Sequence, residues 1–303
     1  MPSNYSPLRY PGGKSQLYPF VKKIIECNNL LGETYVEPFA GGAGLALKLL
    51  LNDDVKRIII NDYDYAIYAI WYCILNYTDD FCRRIEEIDI SVSQWDNQRA
   101  IYNSMTDSIF DLGFAAFYLN RTNRSGIIKG GVIGGRFQNG NYKIDARFSK
   151  EKLIQKIRQI ACNKDKIILT NMDVFDFLSS GFLHHYYKTF INFDPPYVIK
   201  GSQLYKNSFT KQDHRLLADL ISNCHRKWIV TYDICPLVEE IYKNYRCSKI
   251  NINYSASNSG KATEYIFFSD NLNIPEVLKI KPCKRNKRQN SDHTKDAVQT
   301  GQR

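Results

Sequence analysis

The 303-residue sequence has no Cys-x-x-Cys pair; its eight cysteines, at 27, 73, 82, 162, 224, 235, 247 and 283, are scattered. That spacing offers no metal framework, and without a secretory leader a disulfide scaffold is not expected either. His184-His185 has no third ligand at a useful distance along the chain, so no metal is expected. No stretch approaches the ~18 apolar residues of a membrane span. The expectation is a reduced, soluble, cytoplasmic protein without a membrane partner. Acidic side chains are also in deficit. Against 41 Lys and Arg stand 31 Asp and Glu, which leaves a net charge of +10 and favours a polyanionic partner.

What is abundant is aromatic: 21 Tyr and 16 Phe suit base stacking and suit a tyrosine-rich core equally. The length is enough for one large domain or two linked ones. Thr34–Glu37 reads as a short strand entering the glycine loop Pro38-Phe39-Ala40-Gly41-Gly42-Ala43-Gly44. Helix-forming Leu45–Leu51 follows, and Arg57–Asp62 is a second buried strand. Strand, glycine loop, helix and a strand with an acidic end open a doubly wound α/β domain. Asp62 stands where such domains place a carboxylate for ribose hydroxyls. The third glycine of the dinucleotide pattern is missing, which argues against a pyrophosphate. Phe39 and Glu37 suit a cofactor with a cationic amino-acid end, such as S-adenosylmethionine.

Gly13-Lys14-Ser15 resembles the end of a phosphate-binding loop, but Leu8 stands where that loop needs glycine and no strand precedes it. Lys14 is then a cation near a cofactor or a nucleic acid, or a solvated loop lysine. After a helix near Tyr65–Leu75 the pattern loosens, and strand–helix alternation resumes at Lys166–Asn171. Further strands are expected at Thr189–Phe193, Trp228–Thr231, Lys249–Tyr254 and Glu264–Phe268, with helices at Lys211–Asn223 and Pro236–Tyr245. Asp173 could accept the amino hydrogen of a cofactor adenine beside Val174, or cap a helix over Val174–Ser180. The division expected is a catalytic domain over 1–75 and 161–275, an insertion over 76–160, and a basic, disordered tail over 279–303.

The sharpest signal is Asp194-Pro195-Pro196-Tyr197 at the end of a strand. The prolines fix φ and extend the chain, projecting a carboxylate, a carbonyl and an aromatic ring in a set arrangement. Two acceptors can take both hydrogens of an exocyclic amino group while Tyr197 stacks on the ring. The chemistry suggested is methyl transfer to a nucleobase amino nitrogen. Within the insertion, the stretch from Arg121 to Lys150 holds seven Lys and Arg against the single acid Asp145. Phe137–Tyr142 carries a two-residue hairpin signal. A basic hairpin with glycine loops can follow phosphates and offer Arg to guanine edges; Arg121, Arg124 and Arg136 are the DNA-binding candidates.

Taken in order, Pro-Leu-Arg-Tyr-Pro-Gly-Gly-Lys (7–14), Glu-Pro-Phe-Ala-Gly-Gly-Ala-Gly (37–44), Asn-Asp (61–62), Asp173 and Asp-Pro-Pro-Tyr (194–197) resemble the Dam-type DNA adenine methyltransferases of the α group. The resemblance implies a Rossmann-like α/β fold, with a mainly helical target-recognition insertion carrying a β-hairpin. It implies that Tyr10, Lys14, Glu37, Phe39, Ala40, Gly41, Gly42, Gly44, Asp62, Asp173 and Val174 contact S-adenosylmethionine. Asp194, Pro195 and Tyr197 would hold a flipped adenine and direct methylation to its 6-amino group. Double-stranded DNA would be the substrate, with a cognate restriction endonuclease as a possible companion. Asn120-Arg121-Thr122-Asn123-Arg124-Ser125-Gly126 is similar to the family's Asn-Arg segment but departs from its Cys-Phe-Asn-Gly version, so the GATC target is not transferred. An RNA adenine methyltransferase, a cytosine-amino DNA methyltransferase and a non-catalytic DNA-binding relative stay open as alternatives. A cytosine-carbon methylase would need a Pro-Cys nucleophile, and the only such pair, Pro282-Cys283, lies in the tail.

Overall fold

The computed structural model describes residues 5–10, 13–199, 209–254 and 260–276. The basic tail expected over 279–303 lies outside these residues. Apolar runs on four short segments set the centre of the fold. Strands β1 (Thr34–Glu37), β2 (Arg57–Asn61), β3 (Ile167–Thr170) and β4 (Thr189–Phe193) are parallel neighbours. All five residues of β4 and all four of β1 are buried. Such strands carry continuous hydrophobic runs because helices cover both faces. Strands β5 (Lys227–Asp233), β6 (Arg246–Tyr254) and β7 (Gly260–Phe268) complete one seven-stranded sheet, ordered β3-β2-β1-β4-β5-β7-β6, with β7 antiparallel to β5 and β6.

Period-two alternation assigns each strand residue to a face. Tyr35, Ile58, Ile60, Phe190 and Ile229 join one hydrophobic core, under helices α1 (Tyr18–Cys27), α2 (Gly44–Leu51) and α3 (Tyr65–Asn76). Val36, Ile59, Ile191, Phe193 and Val230 join the other core. Helices α4 (Thr78–Glu87), α5 (Val92–Ser104), α6 (Ile109–Thr122) and α7 (Lys150–Ala161) lie between α3 and β3, in the stretch expected to be an insertion. Helix α6 packs along α3 and α7 against α4, and their buried side chains belong to the same core as the first sheet face. The opposite face is covered by α8 (Val174–Ser179), α9 (Lys211–Ser222) and α10 (Pro236–Ile241).

The expected hairpin over Phe137–Tyr142 does not form. Residues 133–138 are turns, and the pairing in this loop is a single bridge between Asn123 and Val132. The reason is local: Gln138 takes a positive φ of 52°, and its side chain donates to the carbonyls of Ile133 (2.8 Å) and Gly135 (2.6 Å) and accepts from Ile144 N–H (2.8 Å). One amide thereby supplies the hydrogen bonds that a strand partner would have given. Phe137 and Tyr142 are left in solvent.

Strand β1 is followed by an excursion to β2 and β3 on one side, while β4 and β5 extend the sheet on the other. The β1–β4 boundary is therefore the topological switch point, where open α/β sheets bind ligands beyond the carboxyl ends of their strands. Both the glycine loop and Asp194 leave the sheet there.

Candidate active site

A cavity of about 830 Å³ opens at this point, lined by the glycine loop, the ends of β2 and β4, the start of α8 and the loop after α6. Its floor is rigid for reasons visible atom by atom. Asn61, buried at the end of β2, donates to the carbonyls of Pro38 (3.0 Å) and Met172 (3.0 Å) and accepts from Thr170 Oγ1 (2.8 Å) and Met172 N–H (2.9 Å). This one amide ties the exits of β1, β2 and β3 together. Gly41 N–H donates to Asp62 Oδ2 (2.7 Å), and Trp71 Nε1 donates to the Gly41 carbonyl (2.9 Å). Gly41 has φ +46°, and a Cβ there would stand 2.6 Å from the Tyr10 ring. The glycines thus admit Tyr10 against the loop backbone, and Tyr10 presents its ring to the cavity beside them.

Four of the expected site residues, Glu37, Asp62, Asp173 and Asp194, set carboxyl groups around this space. Burial pushes Glu37 up to about 8, with the nearby Asp194 charge adding to it, although Tyr35 O–H (3.0 Å) and Ala46 N–H donate to it. Burial likewise pushes Asp62 up to about 7, against its hydrogen bonds from Gly41 and Asp64 N–H. Such strongly perturbed groups in a cleft mark functional sites. Phe39, Ala40, Gly42, Gly44, Asp173 and Val174 line the same cavity. Asp173 caps α8 through Phe175 N–H (2.8 Å) and lines the cavity. Phe175 stacks on Phe209 with centroids 5.8 Å apart, and Phe209 meets Phe39 edge-on at 6.1 Å. These aromatic walls were not legible in the sequence, because Phe209 arrives from a distant loop.

Lys14 is neither solvated nor at the rim. It is 6% exposed, and its Nζ lies 2.8 Å from both oxygens of Asp194, 2.8 Å from Tyr197 Oη and 3.7 Å from Glu264 Oε2. Thr231 Oγ1 donates to Asp194 Oδ1 (2.8 Å), so the carboxylate is held from two directions. Tyr197 is buried, tilted against Tyr232, and turns its hydroxyl to Lys14; among the four motif residues it is Asp194 and Pro196 that face the cavity. The chain beyond is pinned by Asp233, which accepts from Val198 N–H (3.1 Å) and Ile199 N–H (2.8 Å). Asp233 and Glu264 are cross-strand partners on β5 and β7, a pairing that only the sheet register reveals.

The three arginines singled out in the insertion separate. Arg121 is half-buried and donates to the carbonyls of Pro7 (3.3 Å) and Arg147; burial, with Arg9 and Arg147 nearby, pushes it down to about 9. Arg136 forms a two-bonded pair with Asp96 (2.8 and 2.9 Å) on the surface. Arg124 is exposed, as is Lys129, which lines the cavity. The asparagines of the same segment act as rivets. Asn120 accepts from Arg9 N–H (2.9 Å) and donates to the carbonyls of Arg9 (2.8 Å) and Gly126 (2.8 Å). Asn123 accepts from Trp95 Nε1 (2.6 Å) and donates to the carbonyls of Ile127 and Ile128. Gly126 is obligatory there, with φ +76° and the Arg9 carbonyl 2.2 Å from where a Cβ would stand.

A seven-stranded mixed sheet with this strand order, and a carboxyl-rich cavity at its switch point, is a Rossmann-like fold built for a small-molecule cofactor. The chain belongs to the D12 class of N6 adenine-specific DNA methyltransferases, which it matches over residues 10–256. It is therefore a site-specific DNA methyltransferase acting on adenine. Among its relatives, the type II methyltransferase M.MjaIII of Methanocaldococcus jannaschii is 21% identical over 227 residues, covering 68% of this chain and 73% of the relative. The type II methyltransferase M.CviBI of Paramecium bursaria Chlorella virus NC1A is 23% identical over 216 residues, covering 70% and 77%. Among solved structures, the rRNA methyltransferase aviRa from Streptomyces viridochromogenes shares 12% identity over 86% of each chain at a TM-score of 0.37. Among the described residues no helix is long and apolar enough to cross a membrane.

Proposed function

We propose that the cavity holds S-adenosylmethionine together with an adenine flipped out of double-stranded DNA, and that Asp194 orients the adenine amino group for methylation. The electrostatics support the choice of cofactor: Glu37, Asp62, Asp173 and Asp194 line the cavity, and Lys14, the one buried cation among the described residues, is already engaged by Asp194, so the site suits a cationic ligand better than a pyrophosphate. In this reading Asp62 takes the ribose hydroxyls and Phe39, Asp173, Val174 and Phe175 enclose the cofactor's adenine. Glu37 faces the amino-acid end. When bound, the cofactor supplies an electrophilic methyl group on a sulfonium.

An adenine amino nitrogen is a poor nucleophile because its lone pair is delocalised into the ring, and in duplex DNA it lies inside the stack. Flipping costs a few kcal/mol, which exposed basic residues such as Arg124 and Lys129 can offset through phosphate contacts. Lys14 and Thr231 fix the Asp194 carboxylate, and Asp233 fixes the chain that follows it. Asp194 then accepts an amino N–H bond and favours a more tetrahedral nitrogen; Pro195, buried behind the cavity wall, would have to turn its carbonyl inward to take the second. Positioning and electrostatics carry the rate. Asp194 need not take the proton first, since the methylated nitrogen becomes strongly acidic. No covalent enzyme intermediate is required.

The observation that carries this reading is the Asp194 carboxylate, held from two sides at the switch-point cavity. Asp194→Ala should fold and bind cofactor but leave DNA unmethylated; full activity in that variant would overturn the mechanism. Expression in a methylation-free host followed by sequencing of modified bases should give N6-methyladenine in one short motif. Methyl groups on cytosine, or on RNA alone, would overturn the substrate. The type II relatives also support a role beside a cognate restriction endonuclease. Genomic DNA from the expressing host should then resist an endonuclease that cuts at the same motif.

A further inference from the structure

The wall between Glu37 and Asp194 contains a residue that neither the motifs nor the family comparison assigns. Asn192 lies two residues before Asp194 on β4, on the same sheet face, and lines the cavity. It is 2% exposed. Its amide nitrogen serves the Glu37 carboxyl and the Tyr35 hydroxyl, while its Oδ1 is buried with no hydrogen-bond partner. A buried amide oxygen without a donor is costly, and a site that retains one has a donor to offer it in another state. None of the Asn192 neighbours on this wall donates to Oδ1: Asp194 is held by Lys14 and Thr231, and Tyr35 donates to Glu37. A ligand seated against this wall would meet Oδ1 with its own N–H groups, and carboxyl neighbours favour one that is positively charged.

We infer that Asn192 is a binding residue for the α-ammonium group of the cofactor's amino-acid end, accepting one of its N–H bonds through Oδ1 beside Glu37. This rests on the cavity being the S-adenosylmethionine site. The burial of Glu37 fits the arrangement, because a carboxyl held largely neutral in the empty wall becomes a charged partner once an ammonium arrives. Asn192 then sets both the affinity and the choice of ligand, since an analogue without the amino group leaves Oδ1 unserved.

Binding of three nucleosides tests the inference on the full-length protein by calorimetry: S-adenosylhomocysteine, its deaminated analogue and methylthioadenosine, which lacks the whole amino-acid end. Wild type should bind S-adenosylhomocysteine about tenfold or more tighter than the deaminated analogue, the size expected for a hydrogen bond to a charged group. In Asn192→Leu that ratio should collapse towards one, while methylthioadenosine binds as in wild type. Asn192→Asp, which keeps an acceptor at the position, should restore the ratio. An unchanged ratio in Asn192→Leu, or an equal loss for all three ligands, would overturn the assignment and leave the cofactor site standing. Failure of wild type to bind any of the three would instead overturn the cofactor reading itself.

Discussion

Glu37 shows how one buried side chain couples ligand binding to pH. Its folded pKa is raised from about 4.5 to about 8 by burial first and by Asp194 second. Asp62 is raised in the same way to about 7. Between pH 5 and 8 the folded protein therefore holds protons on these two carboxyls that the unfolded chain has lost. Stability from this source is fully present below about pH 4 and falls as the pH rises through 7 and 8. Glu37→Gln should flatten that fall, readable as a smaller drop in Tm between pH 5.5 and 8.5 than in wild type. A ligand ammonium reverses the effect on Glu37 by favouring the charged carboxylate. Binding of S-adenosylhomocysteine at pH 7 should therefore release up to one proton, seen as a calorimetric enthalpy that depends on the buffer's ionisation heat. The release should be absent in Glu37→Gln.

Helix α6 shows how an element can spend its polar side chains within the fold. The segment Asn120–Gly126 at its C-terminal end is similar to the family's Asn-Arg segment, and in this structure Asn120, Arg121 and Asn123 hydrogen-bond within the protein, to backbone carbonyls, the Arg9 N–H and the Trp95 indole. Asn120 clamps Arg9, and through Arg9 it positions Tyr10 against the glycine loop and the chain that delivers Lys14 to Asp194. Asn120→Ala leaves the Arg9 and Gly126 backbone groups unserved and should cost about 1–3 kcal/mol in denaturant unfolding. In methylation kinetics it should raise KM for the cofactor as well as for DNA, whereas Arg124→Ala should raise KM for DNA alone. The strands were legible to within four residues at either end, since buried parallel strands are written as apolar runs and the glycine loop and Asp194 stand at their ends. The clamp was not legible, because Arg9 and Asn120 are brought together only by the packing of the insertion on α3. The hairpin was misread because an Asn-Gly signal is local, and Gln138 offered the same backbone groups a nearer partner.

At the scale of the whole molecule, the +10 charge says only that a polyanion is welcome; which cations meet it depends on how each is engaged. Arg121 is drawn inward onto two carbonyls and Arg136 is neutralised by Asp96. Arg124 and Lys129 are exposed, and Lys129 also lines the cavity that a flipped base would have to enter. Each phosphate contact on duplex DNA contributes about 0.9 to the slope of log K against log salt. Arg124→Ala and Lys129→Ala should therefore each lower that slope by about one if they meet phosphates, with little change in Tm. A loss of affinity at one base position with the slope intact would mark Arg124 as a base reader instead. Arg121→Ala should behave in the opposite way: it removes an internal tie between Pro7 and Arg147, so Tm falls while the salt slope stays near that of wild type. Fluorescence anisotropy on a duplex containing the methylated motif, repeated from low to moderate salt, separates the three. A full unit of slope lost in Arg121→Ala at unchanged Tm would show that this arginine swings out to the DNA, and that the tie seen here opens when the duplex docks.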